Sequence, residues 1–200
     1  MSGSEPIDNR LFALILQHPR EKKEPLATAA LTIAILRHAS LAVGLSWANL
    51  SHALGRPADP ARWAVLYLGS VRPRALGLDR EVIAVNRHGE PEADQAAMLR
   101  DLEGVVLLDG SWSEAKALWW RNPWLLKLRR LVLNPQRPSH YNRLRREPRR
   151  EALSTIEAAG LLLSRVETRP EIETSLNAAL ARVIAEAPAR PRRNHERVSV

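Results

Sequence analysis

Five short apolar runs constrain this chain more than any other feature. Leu11–Leu16 reads LFALIL, Ala64–Leu68 AVLYL, Glu81–Val85 EVIAV, Val105–Leu108 VVLL and Arg130–Leu133 RLVL. Each is short and nearly continuous rather than alternating, the pattern of a strand covered on both faces. Between them lie helical signatures. Pro25 sits in the first turn of ATAALTIAILRHA, and Ser46 caps Ser46–Leu54. Glu92–Leu102 follows, and SWSEAKALWWRN from Ser111 is stopped by Pro123. Arg150–Val166 and Glu171–Glu186 are longer and amphipathic. Buried strands separated by helices predict an α/β domain, with a mostly parallel sheet covered by helices. One domain is expected over residues 1–186. The Pro- and Arg-rich segment 187–200 has little to bury and is expected to be disordered.

Composition removes several function classes. The 200 residues contain no cysteine, so disulfides, thiolate metal sites and cysteine nucleophiles are excluded. The six histidines (His18, His38, His52, His88, His140 and His195) include no pair at the i, i+4 spacing of a helical zinc site, and no metal is expected. No apolar stretch approaches the roughly 18 residues of a membrane span, and MSGSEPIDNR lacks the order of a secretory signal. A cytoplasmic protein is expected. The net charge is +8, and lysine occurs only at positions 22, 23, 116 and 127, so arginine carries the excess. Guanidinium groups fork phosphates and stack on bases, which suits a nucleic-acid partner. A codon bias toward arginine accounts for the same composition equally well.

Four segments carry groups suited to chemistry. Asp109-Gly110-Ser111-Trp112 directly follows VVLL, and ligands of open α/β sheets bind beyond strand carboxyl ends. Ser111 and Glu114 form a capping-box pattern at the start of the next helix. Taken locally, an ordinary strand-to-helix turn looks the same. His18-Pro19-Arg20-Glu21 follows LFALIL in the same way and precedes a helix carrying Thr28. The stretch Pro138–Pro148 combines Tyr141 with Arg143, Arg145 and Arg146, which suits phosphate gripping and base stacking as well as a solvated loop. Leu153–Ala158 places Ser154 and Thr155 within a helix. Small hydroxyl residues there either admit a close neighbour or bond back to the preceding turn.

In this order the four segments resemble the DTW-domain family. Its signature, Asp-x-Thr/Ser-Trp after an apolar strand, matches Asp109–Trp112, and its upstream His-Pro-x-Glu matches His18–Glu21. A Tyr-x-x-Arg-x-Glu-Pro loop matches Tyr141–Pro148 with one extra residue before Arg145. Leu-Ser-Thr-x-Glu-Ala matches Leu153–Ala158. The resemblance implies a SPOUT-like fold with a C-terminal trefoil knot, an exception to the rule against knotted chains. It also implies transfer of the 3-amino-3-carboxypropyl group of S-adenosylmethionine to a uridine N3 of tRNA. A sister group acts on rRNA. Many members carry a cysteine-rich zinc-binding segment, which this sequence lacks, and Ser111 stands where Thr is usual.

By the same resemblance Asp109, Ser111 and Trp112 are the catalytic candidates. Asp109 would take the N3 proton or orient the base, and Trp112 would pack beneath the site. Thr28, Leu108, Ser154, Thr155, Glu157 and Ala158 would surround the cofactor. His18, Tyr141, Arg143, Arg145, Arg149 and Arg150 would face RNA, with Arg145 either ion-paired to Glu147 or meeting the cofactor carboxylate. A monomer is expected. A SPOUT methyltransferase and a non-catalytic RNA-binding module are the competing readings.

Overall fold

A computed structural model describes residues 5–21, 28–66, 79–136 and 153–186. Among them, six strands form one sheet: β1 (Phe12–Gln17), β2 (Ala39–Val43), β3 (Trp63–Leu66), β4 (Val82–Val85), β5 (Gly104–Asp109) and β6 (Arg129–Leu133). Their order is β2-β1-β5-β3-β6-β4. All neighbours run parallel except β4, which pairs antiparallel with β6. The outer edge of β4 is closed by Gln95, whose side-chain amide accepts from Ala84 N–H at 2.7 Å and donates to its C=O at 2.8 Å. An edge satisfied in this way is no template for a foreign strand. The helices are α1 (Thr28–Ile35), α2 (Leu50–Leu54), α3 (Gln95–Arg100), α4 (Trp112–Arg121), α5 (Thr155–Glu167) and α6 (Pro170–Glu186). None of them is long and apolar enough to cross a membrane.

Successive side chains of a strand point to opposite faces, and both faces are covered. Ala13, Ile15, Val105 and Leu107 join an aliphatic cluster with residues of α1, α3, α5 and α6. Leu14, Leu16 and Val106 join a second cluster with α2, Trp47, Trp63, Trp119 and Trp124. That is why the runs read as continuously apolar. On the aliphatic side α5 and α6 lie close together. A Cβ on Gly160 would come 3.3 Å from the Glu173 Cα, so glycine permits the approach.

The structure corrects several boundaries. The segment expected to be helical through Ala39 ends its helix at Ile35 and turns into β2. Asn9 drives the turn: it is fully buried, and its side chain binds both the N–H and the C=O of His38. Ser46 caps no helix. Asn49 caps α2, accepting from His52 N–H at 2.8 Å, whereas the Ser46 hydroxyl donates to Arg121 C=O. Asp94 caps α3, so that helix starts later than Glu92. Ser154 is not inside a helix but caps one, and Thr155 is the first residue of α5. Residues 137–152 lie outside the described residues, and with them Tyr141, Arg143, Arg145, Arg149 and Arg150. The same holds for segment 187–200.

Candidate active site at the strand carboxyl ends

Neighbouring strands β1 and β5 send their chains in opposite directions. From β1 the next strand, β2, lies on one side; from β5 the next, β6, lies on the other. The first connection carries α1 over the aliphatic face, and the second carries α4 over the tryptophan-rich face. The crevice outside such a switch point is where open α/β sheets bind ligands.

Asp109, the last residue of β5, sits in that crevice and is 7% exposed. Its Oδ2 accepts from the Gln17 amide at 2.8 Å, and its Oδ1 accepts the Thr155 hydroxyl. Its backbone C=O accepts from His18 N–H at 2.9 Å. One residue therefore ties together the ends of β1 and β5 and the first turn of α5. An ionised carboxylate is an acceptor with lone pairs to spare, so each oxygen keeps capacity for one further donor.

Two matched helix starts flank this carboxylate. At α4 the Glu114 Oε2 accepts from the Ser111 N–H at 2.9 Å and from its hydroxyl at 2.7 Å. At α5 the Glu157 Oε2 accepts from the Ser154 N–H and hydroxyl at the same two distances. Both are capping boxes, which fix where each helix begins. Between Asp109 and the first box stands Gly110. A Cβ there would lie 2.8 Å from Glu114 Cβ and 3.4 Å from His18 Cβ, so no larger residue fits the turn.

The His-Pro-Arg-Glu segment closes against the same helix start. His18 Nδ1 lies 3.4 Å from Glu114 Oε1, and Glu21 N–H donates to His18 C=O at 3.0 Å. Burial disfavours the Glu114 charge, but it is outweighed by the hydroxyl and N–H of Ser111, with help from His18 and Glu21. The carboxyl is held below its usual range.

The structure thus brings together His18, Asp109, Ser111 and Thr155. Ser154 and Glu157 support them from the α5 cap. Thr28 is buried at the start of α1, which packs on α5. Leu108 leans toward the tryptophan-rich cluster, and Ala158 is buried in the aliphatic one. His18, expected on an RNA face, has a side chain only 12% exposed and turned to Glu114. Trp112, expected beneath the site, belongs to neither core cluster. It is partly exposed, with the Lys116 ammonium 5.4 Å from its ring centre. Gln17 was missed by sequence reasoning, although a polar residue ending an apolar run at a strand's carboxyl end is a readable sign. Among the described residues no cluster of three or more His, Asp or Glu could hold a metal.

The DTW domain matches residues 3–187 of the sequence. The chain belongs to the DTW-domain family. It is also 32% identical over 167 residues to tRNA-uridine aminocarboxypropyltransferase 2 of Drosophila melanogaster, an alignment covering 82% of this chain and 59% of that protein. This DTW protein therefore spans less than two thirds of the relative's length. No solved structure matches it.

Proposed function

We propose that this DTW protein transfers the 3-amino-3-carboxypropyl group of S-adenosylmethionine to N3 of a uridine in tRNA, releasing methylthioadenosine. The reading rests on the family, on the name of the fly relative, and on one structural observation: Asp109, anchored on both oxygens, lies in the switch-point crevice between two helix N-termini. We further propose that residues 1–186 act as one domain, as a monomer in the cytoplasm, with the SPOUT-like C-terminal trefoil knot that the family resemblance implies.

The groups at the crevice fit such a co-substrate. Helix N-termini favour a carboxylate, and Asp109 favours a cation. S-adenosylmethionine supplies an electrophilic γ-carbon bound to a sulfonium, a strong leaving group. Thr28, the backbone near Leu108 and Ser154 to Ala158 would hold it. The protein's task is chiefly positioning, so that the γ-carbon rather than the methyl faces the uridine. Gln17 and Thr155 hold the Asp109 carboxylate in one orientation, and its remaining lone pairs would accept the N3 proton or fix the base. Tyr141 and the arginines at 143, 145, 149 and 150 would meet the tRNA, whereas His18 holds the Glu114 cap.

Mass spectrometry of tRNA treated with the protein and S-adenosylmethionine tests the reading. Aminocarboxypropyl-uridine with methylthioadenosine supports it. S-adenosylhomocysteine would mean methyl transfer instead, and modification confined to rRNA would move the substrate. Asp109→Asn is expected to lower kcat about 10²- to 10⁴-fold, the usual worth of a placed acid or base. Full turnover by that variant would remove the proton role.

A further inference from the structure

The tryptophan-rich side carries a feature that the crevice does not use. Helix α4 starts three residues after Asp109, at the carboxyl rim of the sheet. Its far end is pinned to the same rim. Ser46 Oγ donates to Arg121 C=O at 3.0 Å, and Asn122 binds Leu45 C=O and Trp47 N–H. These residues follow the end of β2, where Val43 pairs in register with Gln17, which itself pairs with Asp109. The helix therefore runs along the rim beside the crevice.

Its outward side carries Trp112, Lys116 and Trp120 at i, i+4 and i+8, roughly 12 Å from first to last at helical rise. Trp120 is 77% exposed, and Lys116 is exposed with its ammonium 5.4 Å from the Trp112 ring centre. Arg121 follows, and Ser113 completes a polar margin. A single exposed ring is ordinary, but this one stands on the same helix side as a cation and a second ring. The spacing of ring, cation and ring matches a single strand of nucleic acid, whose bases stack on aromatic faces while its phosphates meet the cation. The positive charge of the chain (+8) complements the same partner.

We infer that the outward face of α4 is a stacking track for unpaired nucleotides of the RNA substrate. Trp120 holds a base flanking the modified uridine, Trp112 stacks one nearer the crevice, and Lys116 meets the phosphate between them. The inference rests on the proposed RNA substrate but adds its binding surface and the single-stranded form it must have there.

Fluorescence anisotropy with a labelled tRNA transcript and with an unstructured oligouridine tests it. Trp120→Ala is expected to weaken binding to both RNAs about 5- to 100-fold, the usual worth of one stacked base. Trp120→Phe should restore most of the affinity. Because stacking carries no charge, Trp120→Ala should leave the salt dependence unchanged, whereas Lys116→Ala should lower its slope by about 0.7 to 0.9. Trp120 is too exposed for its loss to open the core, and circular dichroism should match wild type. Unchanged affinity of Trp120→Ala for both RNAs overturns the track. So does a wild-type dimer, seen by sedimentation, that Trp120→Ala converts to monomer, since the ring would then serve contact between copies. Product analysis on the same preparations separates the two proposals. Aminocarboxypropyl-uridine with unaltered Trp120→Ala binding sinks only the track; weakened binding without that product sinks only the reaction.

Discussion

The two faces of the sheet are built from different side chains and do different work. The aliphatic face, under α1, α3, α5 and α6, has no aromatic residue in its cluster among the described residues. Its helices include the two longest described, and Gly160 lets them approach closely. The opposite face has short helices, a 3-10 turn at Pro123–Lys127, and Trp47, Trp63, Trp119 and Trp124 filling the gaps. Trp124 donates to the Trp47 C=O at 3.0 Å, so this layer is tied by polar contacts as well as packing. Branched aliphatics interlock at fixed volume and make a rigid support. Large rings with polar edges bridge irregular loops and leave some surface over. The aliphatic face thus acts as support, and the tryptophan face carries the proposed RNA track.

The largest effect that tests this division is expected from the aliphatic side. Leu162 is fully buried in α5. Leu162→Ala should destabilise the fold by about 2–5 kcal/mol in denaturant unfolding. At a temperature well below its melting point, RNA affinity and its salt slope should stay at the wild-type level. A variant that folds yet has lost RNA affinity would show that the two faces are not separable.

A smaller effect is expected at Gly110, where the faces meet. Its φ is not in the left-handed region, which among the described glycines is occupied by Gly55 and Gly89. Space, not backbone freedom, makes glycine necessary there. The atom in the way is the Cβ of Glu114, which cannot swing aside without moving α4. Gly110→Ala should cost about 1–3 kcal/mol as overpacking and should lower kcat more than it raises KM, because it displaces the Asp109 turn. Wild-type turnover and melting temperature together would mean the turn has slack.

Much of this was legible in the sequence, and the exceptions have physical causes. The five apolar runs became β1, β3, β4, β5 and β6 because burial on both faces writes itself as unbroken apolar sequence. Strand β2 escaped notice: Ala39–Val43 is an edge strand, only partly buried, and no Gly or Pro separates it from α1. Ser111 with Glu114 was readable as a capping box. Ser154 with Glu157 has the same spacing, but the polar residues before it also suit a helix, so its start was placed too early. The anchoring of Asp109 by Gln17 and Thr155 required the fold, because those residues lie 92 and 46 positions away. The exposure of Trp120 was hidden for a similar reason, since a tryptophan in an amphipathic helix is ordinarily read as core.

The smallest effect concerns the cap that joins the tryptophan face to the crevice. Glu114 has its carboxyl below the usual glutamate range: burial opposes the charge, yet Ser111, His18 and Glu21 favour it more strongly. The folded state therefore holds on to the proton less tightly than the unfolded chain. Where the two states differ in protonation, the unfolded state binds more protons, so stability rises with pH. The contribution is fully present above the unfolded value, near 4.5, and is lost as pH falls through the lower, folded value. Glu114→Gln keeps the shape and an acceptor oxygen but removes this titration. Its unfolding free energy at neutral pH should fall by about 0.5–2 kcal/mol, the usual worth of a cap. Its stability curve should also be flatter than wild type below pH 4.5. Parallel acid limbs for the two proteins would mean that Glu114 holds its proton equally tightly in the folded and unfolded states, and that the cap does not favour its charge.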